Sequence, residues 1–289
     1  MTLTRRPFLL GTLGTLATPA LARARGTAAW TRDAYLAAMR DSGRETTISA
    51  AAFDAIQARK AAALRRIEAY LKARFQGVAD PAVMRAFETL PREYFHWNYQ
   101  GRSNQATVAY ETEAKPWAIG YGSALSDYLG QAYMTQVCDP KPDHVVLEIG
   151  TGSGFQAALL SRIVAKQYSI EIIEPLGRGV QRIFAPLGYT NLETRVGDGF
   201  FGWPEVQGGF DTIIVTCAAQ YVPPALIEQL KPGGRLVIPI GQPFRRGQFL
   251  YIYTKDPDGR VRSRKDVGVY FIPMTGTMMN RPRPQGTPG

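Results

Sequence analysis

Between Thr31 and about Phe75 apolar residues recur at helical spacing, as in Ala63, Leu64, Ile67, Tyr70 and Leu71, with a break at Gly43. The pattern predicts helix on both sides of that break. Asp80-Pro81 reads as a further helix start, Asp capping and Pro in the first position, with Met84, Phe87 and Leu90 carrying the apolar face onward. Residues 97–118 mix polar and aromatic side chains without a period and predict a long loop, a setting in which binding residues are common. Past Pro142 the pattern becomes regular. His144–Ile149 is an apolar run suited to a parallel strand buried on both faces, followed by glycine-rich residues 150–154 and a helix through Ala157, Leu160 and Val164. Tyr168–Ile172, Leu192–Val196, Phe210–Thr216 and Arg235–Pro239 read as four more strands. Helices over 176–187 and 223–230 and a turn at Pro232-Gly233-Gly234 separate them. Phe249–Thr254 and Val267–Ile272 have no helix between them and predict an antiparallel pair closing the sheet. The alternation is that of a doubly wound α/β domain, over residues 97–279, behind a helical region over 23–96. No internal repeat is present.

Composition changes the picture at the two ends. A chain of 289 residues with 45% hydrophobic content can bury a sizeable core, so disorder is excluded as the general state. The net charge of +10 invites a nucleic-acid or membrane partner, but its placement removes that support. Four arginines lie in residues 1–25 with no acid, and residues 245–289 hold nine bases against three acids, which leaves 26–244 neutral. No nucleic-acid partner is therefore expected. Thr4-Arg5-Arg6-Pro7-Phe8-Leu9-Leu10, an uncharged stretch to Ala20 and the small-x-small Ala20-Leu21-Ala22 have the form of a twin-arginine export signal over residues 1–22. Its apolar part is about a dozen residues against the ~20 a membrane span requires, and no later stretch is long enough. A periplasmic or envelope-associated protein is expected, or a cytoplasmic one where the signal is not used. Residues 280–289, rich in Pro and Gly, predict a flexible tail. Cys138 and Cys217 lack zinc-ligand spacing, so no metal site is expected. With His96 and His144 as the only imidazoles, a histidine triad is improbable chemistry. His96 reads as a satisfied loop histidine, Cys217 as a small packing residue, and Glu174 with Arg178 as a surface helix pair.

The candidate chemistry sits after the first sheet strand. Glu148 and the turn Gly150-Thr151-Gly152-Ser153-Gly154 lead into a helix, where glycines admit a ligand close to backbone. Two ligand classes fit: a dinucleotide, on the spacing Gly152-x-Gly154-x-x-Ala157, or S-adenosylmethionine, on Glu148-x-Gly150-x-Gly152-x-Gly154. Glu171, ending the second strand, can accept from ribose hydroxyls in either. Gly197-Asp198-Gly199 after the third strand separates them, because a carboxylate there can accept from an adenine amino group. That favours S-adenosylmethionine.

These residues resemble the protein-L-isoaspartate O-methyltransferases, a family of class I S-adenosylmethionine-dependent methyltransferases. Val146–Leu160 is similar to the family's cofactor motif. Ser169-Ile170-Glu171, Gly197-Asp198-Gly199 with Gly202-Trp203, Phe210–Thr216 and Gly233–Gly241 follow in family order. Pro91-Arg92-Glu93-Tyr94-Phe95 upstream and Phe271–Met274 downstream resemble further family segments, so the likeness covers roughly residues 60–275. It implies a Rossmann-like methyltransferase sheet with an N-terminal helical extension and antiparallel closing strands. It also implies S-adenosylmethionine as cofactor, held by Ala124, Glu148, Gly150, Gly152, Gly154, Glu171, Asp198, Gly199 and Thr275. Ser126 is then expected to orient the carboxylate of an isoaspartyl residue in a damaged protein, by a monomeric enzyme. The departures fall in that loop, where Gly122-Ser123-Ala124-Leu125-Ser126-Asp127-Tyr128 keeps the family's serine and lacks its threonine, glutamine and proline. Asp127 would repel a carboxylate by on the order of 1 to 4 kcal/mol at about 4 Å unless it faces solvent. Tyr121, Tyr128 and Trp117 are candidate aromatic walls. A methyltransferase of other acceptor specificity, and an exported non-catalytic member serving as a binding module, stand as the alternative readings.

Overall fold

The computed structural model describes residues 29–242 and 247–281; the export segment expected at residues 1–22 lies outside them. Thr31 caps α1 (Arg32–Asp41) and Ser49 caps α2 (Ala50–Arg74), each hydroxyl accepting a backbone N–H of the first turn. Gly43, at φ +74°, turns the chain between them. Asp80 caps α3 (Pro81–Thr89) as its sequence predicts, accepting from Ala82 at 2.7 Å and Val83 at 3.3 Å.

Residues 97–118 are not the structureless loop their composition suggests. β1 (Trp97–Asn98) pairs with β2 (Ser103–Asn104), and β3 (Trp117–Gly120) pairs with β4 (Ser123–Leu125), both antiparallel. Such short ladders are held by backbone pairing and by turn bonds such as Asn98 Oδ1 accepting from Gly101 N at 2.7 Å, and leave no alternation to read. α4 (Tyr128–Cys138) follows.

The remaining chain alternates β5 (Val145–Ile149), α5 (Phe155–Ser161), β6 (Lys166–Glu171), α6 (Glu174–Gln181), β7 (Leu192–Val196), β8 (Phe210–Val215), α7 (Pro224–Glu228) and β9 (Leu230–Ile240). It closes with β10 (Gln248–Lys255), β11 (Val261–Val269) and α8 (Thr277–Asn280). The seven-stranded sheet has the order β11-β10-β9-β8-β5-β6-β7, parallel from β9 to β7 and antiparallel at β10 and β11. Three expectations are corrected. Pro232-Gly233-Gly234 does not end a turn before the strand; β9 passes through it, and the register slips between Phe210↔Leu230 and Thr212↔Arg235. The last strand lies at 261–269 rather than 267–272, because Arg262–Lys265, exposed on an edge, pair as strand while residues 270–272 leave the sheet. Asn280 ends α8 instead of opening the tail, and residues 282–289 lie outside the described residues.

Alternate strand residues feed the two faces: Val146, Ile214 and Val237 on one, Leu147, Ile213 and Ile238 on the other. The first face shares one apolar core with Tyr35, Phe53 and Ile67 of α1 and α2, so the helices before residue 96 are packed into the same body as the sheet. β5 has β6 on one side and β8 on the other, which makes its carboxyl end the point where the winding reverses and a crevice opens.

Candidate active site

A cavity of about 700 Å³ occupies that crevice. Its walls come from the tips of β5, β6 and β8, the loop 121–127, the inner side of α4 and the segment leaving β11. Gly150 lies at φ +98°, and a Cβ there would stand 2.6 Å from Thr216 Oγ1, which donates to the Ile149 and Gly150 carbonyls. Only glycine fits this position, and its bare backbone forms part of the cavity wall. Gly152 also lines the cavity, its N–H donating to Glu171 Oε2 at 2.8 Å. Gly154 acts on packing instead, since it is outside the cavity lining and a Cβ there would meet Phe184, Val180 and Ile183 at 2.8–3.0 Å. It is the glycine that lets α5 approach α6.

Four carboxylates line the crevice, Asp127 beside Ser126 and three at the strand tips. Glu148 is fully buried; Oε2 accepts from Ser169 at 2.6 Å, while Oε1 has no partner and burial pushes its carboxyl up to about 8 against that donor. Glu171 accepts from Gly152 N and, at 3.0 Å, from Ile173 N; burial raises its pKa, opposed by those amides. Asp198 accepts from Phe200 N at 2.9 Å and from Thr277 N at 2.8 Å, fastening the C-terminal segment beside the cavity. Each bound oxygen keeps a second lone pair for a ligand donor. Gly199, Ala124 and Thr275 line the cavity as well.

This donor set decides between the two ligand classes. The amides of Gly150 and Thr151 go to the Ile170 carbonyl, that of Gly152 to Glu171, that of Gly154 to Thr151 and that of Phe155 to Ser153. No row of free N–H groups is left in this described loop for a pyrophosphate, and three acids surround it. An orphaned buried carboxylate oxygen and a glycine cradle instead suit a ligand bearing cationic groups and hydroxyls, which S-adenosylmethionine is.

Ser126 lines the opposite wall, half-buried. Its carbonyl accepts from Arg92 Nη2 at 2.7 Å; Arg92 is buried, also donates to Gln131 and to the Ala109 carbonyl, and burial lowers its pKa to about 10. The sequence marks Arg92 only as part of the family segment Pro91–Phe95, and its neighbours carry no further signal of its role. Asp127 does not face solvent: it lines the cavity half-buried and is the N-cap of α4, Oδ1 accepting from Gly130 N at 2.7 Å. Among the candidate aromatic walls, Tyr121 lines the cavity mouth. Tyr128 is a buried packing residue that accepts from Arg66 and donates to the Glu111 carbonyl, and Trp117 lies outside the lining. Tyr70, Arg74 and Tyr133, from α2 and α4, complete the lining; the sequence gives no sign of this, since helical spacing marks them only as helix. Cys217 lines the cavity with its thiol pKa pushed up by burial, a neutral packing group. Glu174 and Arg178 form the surface pair expected. His96 is not a satisfied histidine: it is buried with neither ring nitrogen bonded, and burial holds its pKa well below the usual value.

Comparison with known proteins agrees with this geometry. Residues 66–279 match the family model described as protein-L-isoaspartate(D-aspartate) O-methyltransferase. Among similar proteins, a protein-L-isoaspartate O-methyltransferase 1 of Nitrosospira multiformis is 51% identical over 161 residues, covering 56% of this chain and 67% of the relative. A protein of the same name from Cupriavidus necator is 42% identical over 230 residues, covering 78% and 85%. A solved protein-L-isoaspartate O-methyltransferase superposes with TM-score 0.63 at 26% identity, over 74% of this chain and 67% of that one. A structure from Plasmodium falciparum assigned to the same enzyme class, in complex with S-adenosyl-L-homocysteine, shares the fold at TM-score 0.58 and 20% identity, over 73% and 97%. With a family match that spans most of its length, this chain belongs to the protein-L-isoaspartate(D-aspartate) O-methyltransferase family.

Proposed function

We propose that this protein is an S-adenosylmethionine-dependent methyltransferase acting on the carboxylate of isoaspartyl residues in damaged proteins. The observation that carries the reading is a single cavity walled by the family's cofactor loop on one side and by the Ser126 loop on the other. When bound, the cofactor supplies an electrophilic methyl group on a sulfonium. Glu148, Gly150, Gly152, Glu171, Asp198 and Gly199 would hold it, with Ala124 and Thr275 on adjoining walls. The acceptor carboxylate is ionised at neutral pH, so no general base is needed and what the chain must supply is alignment. Ser126 orients the acceptor with its hydroxyl, and Arg92 fixes the loop carrying it through the Ser126 carbonyl.

Calorimetry with S-adenosylmethionine should show binding, and methyl transfer to an isoaspartyl peptide should exceed transfer to its aspartyl isomer. Binding without preference for the isoaspartyl form would move the acceptor to another class; no binding at millimolar cofactor would sink the enzyme reading. The reading extends to location. Residues 1–22 serve as a twin-arginine leader, supported by Arg5-Arg6 before an apolar run, and the mature chain works as a monomer outside the cytoplasm. A reporter fusion should lose export when Arg5 and Arg6 become Lys, and light scattering on the mature chain should give the monomer mass. No helix among the described residues is long and apolar enough to cross a membrane.

A further inference from the structure

The charges lining the cavity are unequally placed. Glu148, Glu171 and Asp198 lie at the tips of the parallel strands, and Asp127 is committed to capping α4. Among the described lining residues Arg74 is the single cation, and it sits on a different wall, in the last turn of α2. Its guanidinium lies 5.3 Å from the centre of the Tyr70 ring, Tyr70 packs against Tyr133 with ring centres 6.3 Å apart, and the Tyr133 hydroxyl donates to Asp266 at 2.8 Å. No carboxylate among the described residues pairs with Arg74. The other arginines that meet this region are engaged, Arg66 with Tyr128 and Arg264 with Asp266.

We infer that Arg74, held over Tyr70, selects acceptor peptides carrying an anionic group beside the isoaspartyl residue: an acidic side chain or a terminal carboxylate. The inference rests on the isoaspartyl reading above and adds a preference to it. The cofactor end of the cavity is acidic and suits a cationic ligand, whereas the Arg74 wall offers an anion the only unpaired positive charge among the described lining residues. The aromatic faces beside it give the peptide's apolar atoms a surface, and a guanidinium placed over a ring keeps N–H groups free for a carboxylate.

The test uses isoaspartyl peptides that differ only in having Glu, Gln or Lys at one to three residues on either side of the isoaspartyl. Wild-type enzyme should show a KM about fivefold lower for the best Glu peptide than for its Gln counterpart, the upper size of an exposed ion pair such as Arg74 could form. Arg74→Gln should abolish that ratio by raising the Glu-peptide KM to that of the Gln peptide, with the cofactor Kd as the control that the site remains folded. Arg74→Lys should keep most of the ratio, and Arg74→Glu should shift it toward the Lys peptide. Transfer to all peptides with a ratio unmoved by Arg74→Gln overturns the inference alone. Transfer to no isoaspartyl peptide by the wild type overturns the functional reading, and this inference with it.

Discussion

Glu148 shows how much one residue's chemistry depends on what surrounds it. Its position before the glycine turn marks it as a cofactor residue, and the structure adds that it is fully buried, bonded through one oxygen to Ser169 and raised to about 8. In the unfolded chain the group titrates near 4.5. The folded form therefore binds its proton more tightly, and the stability this contributes is complete below about 4.5 and lost as pH rises through about 8. Glu171 is shifted in the same direction. The ligand-free protein should lose stability as pH rises through this window, and Glu148→Gln should flatten that slope. Binding a cationic ligand has the opposite preference, since it favours the ionised carboxylate. Affinity for S-adenosylmethionine should rise with pH toward 8 in the wild type. In Glu148→Gln it should be weaker by about tenfold or more, the worth of a charge-assisted hydrogen bond, and nearly pH-independent. Melting temperature and calorimetric Kd measured from pH 5 to 8.5 check both; a slope unchanged in the variant would mean another group carries it.

At the scale of elements, Asp127 is a structural residue in a catalytic neighbourhood. It caps α4, whose first turns bring Leu129, Gly130 and Tyr133 to the cavity, while its carbonyl accepts from Gln131 N. Asn caps a helix as well as Asp does, so Asp127→Asn should leave Tm unchanged, whereas Asp127→Ala should cost about 1 kcal/mol. Because one carboxylate oxygen is taken up by the Gly130 amide, Asp127→Asn should also leave isoaspartyl transfer within about twofold. A large gain in transfer would show that the carboxylate opposes the acceptor after all. Sequence alone could not assign this cap, because the residues before Tyr128 carry no apolar period to announce a helix start. The central strands were legible for the opposite reason: Val145–Ile149 and Phe210–Val215 are largely apolar runs buried by layers on both sides. Short hairpins such as β1–β2, and an edge strand as polar as β11, are built from backbone pairing and remain invisible to a hydrophobic pattern. The same holds within the site. Glu148, Gly150, Glu171 and Asp198 share local spacing and could be read, whereas Arg74 and Arg92 reach the cavity or its loop only through tertiary packing.

Over the whole molecule, the family match begins at residue 66, inside α2, yet the preceding residues are fastened to the enzyme body. Glu93, fully buried, collects three donors: Trp30 Nε1 at 2.8 Å and Gln57 Nε2 at 2.7 Å from the N-terminal segment, and the Tyr110 hydroxyl at 2.9 Å. Tyr110 in turn accepts from the Arg92 amide at 3.0 Å, and Arg92 holds the Ser126 carbonyl. Arg44 adds a bond to the Tyr94 carbonyl at 2.7 Å, and Tyr35 one to Asn104 at 3.1 Å. A buried carboxylate is tolerable only while its donors remain, so removing one should cost more than the contact's own area suggests. Trp30→Phe keeps a ring and deletes the N–H to Glu93; it should lower stability by about 1.5–3 kcal/mol. Because α1 and α2 share one core with the sheet, the loss should appear as a shift of the entire unfolding transition. Chemical denaturation followed by tryptophan fluorescence and by far-ultraviolet circular dichroism should give coincident curves in both proteins. Early, separate melting of the N-terminal helices with the main midpoint unmoved would show instead that the segment is an appendage. In that case Glu93 would draw its stability from Tyr110 alone.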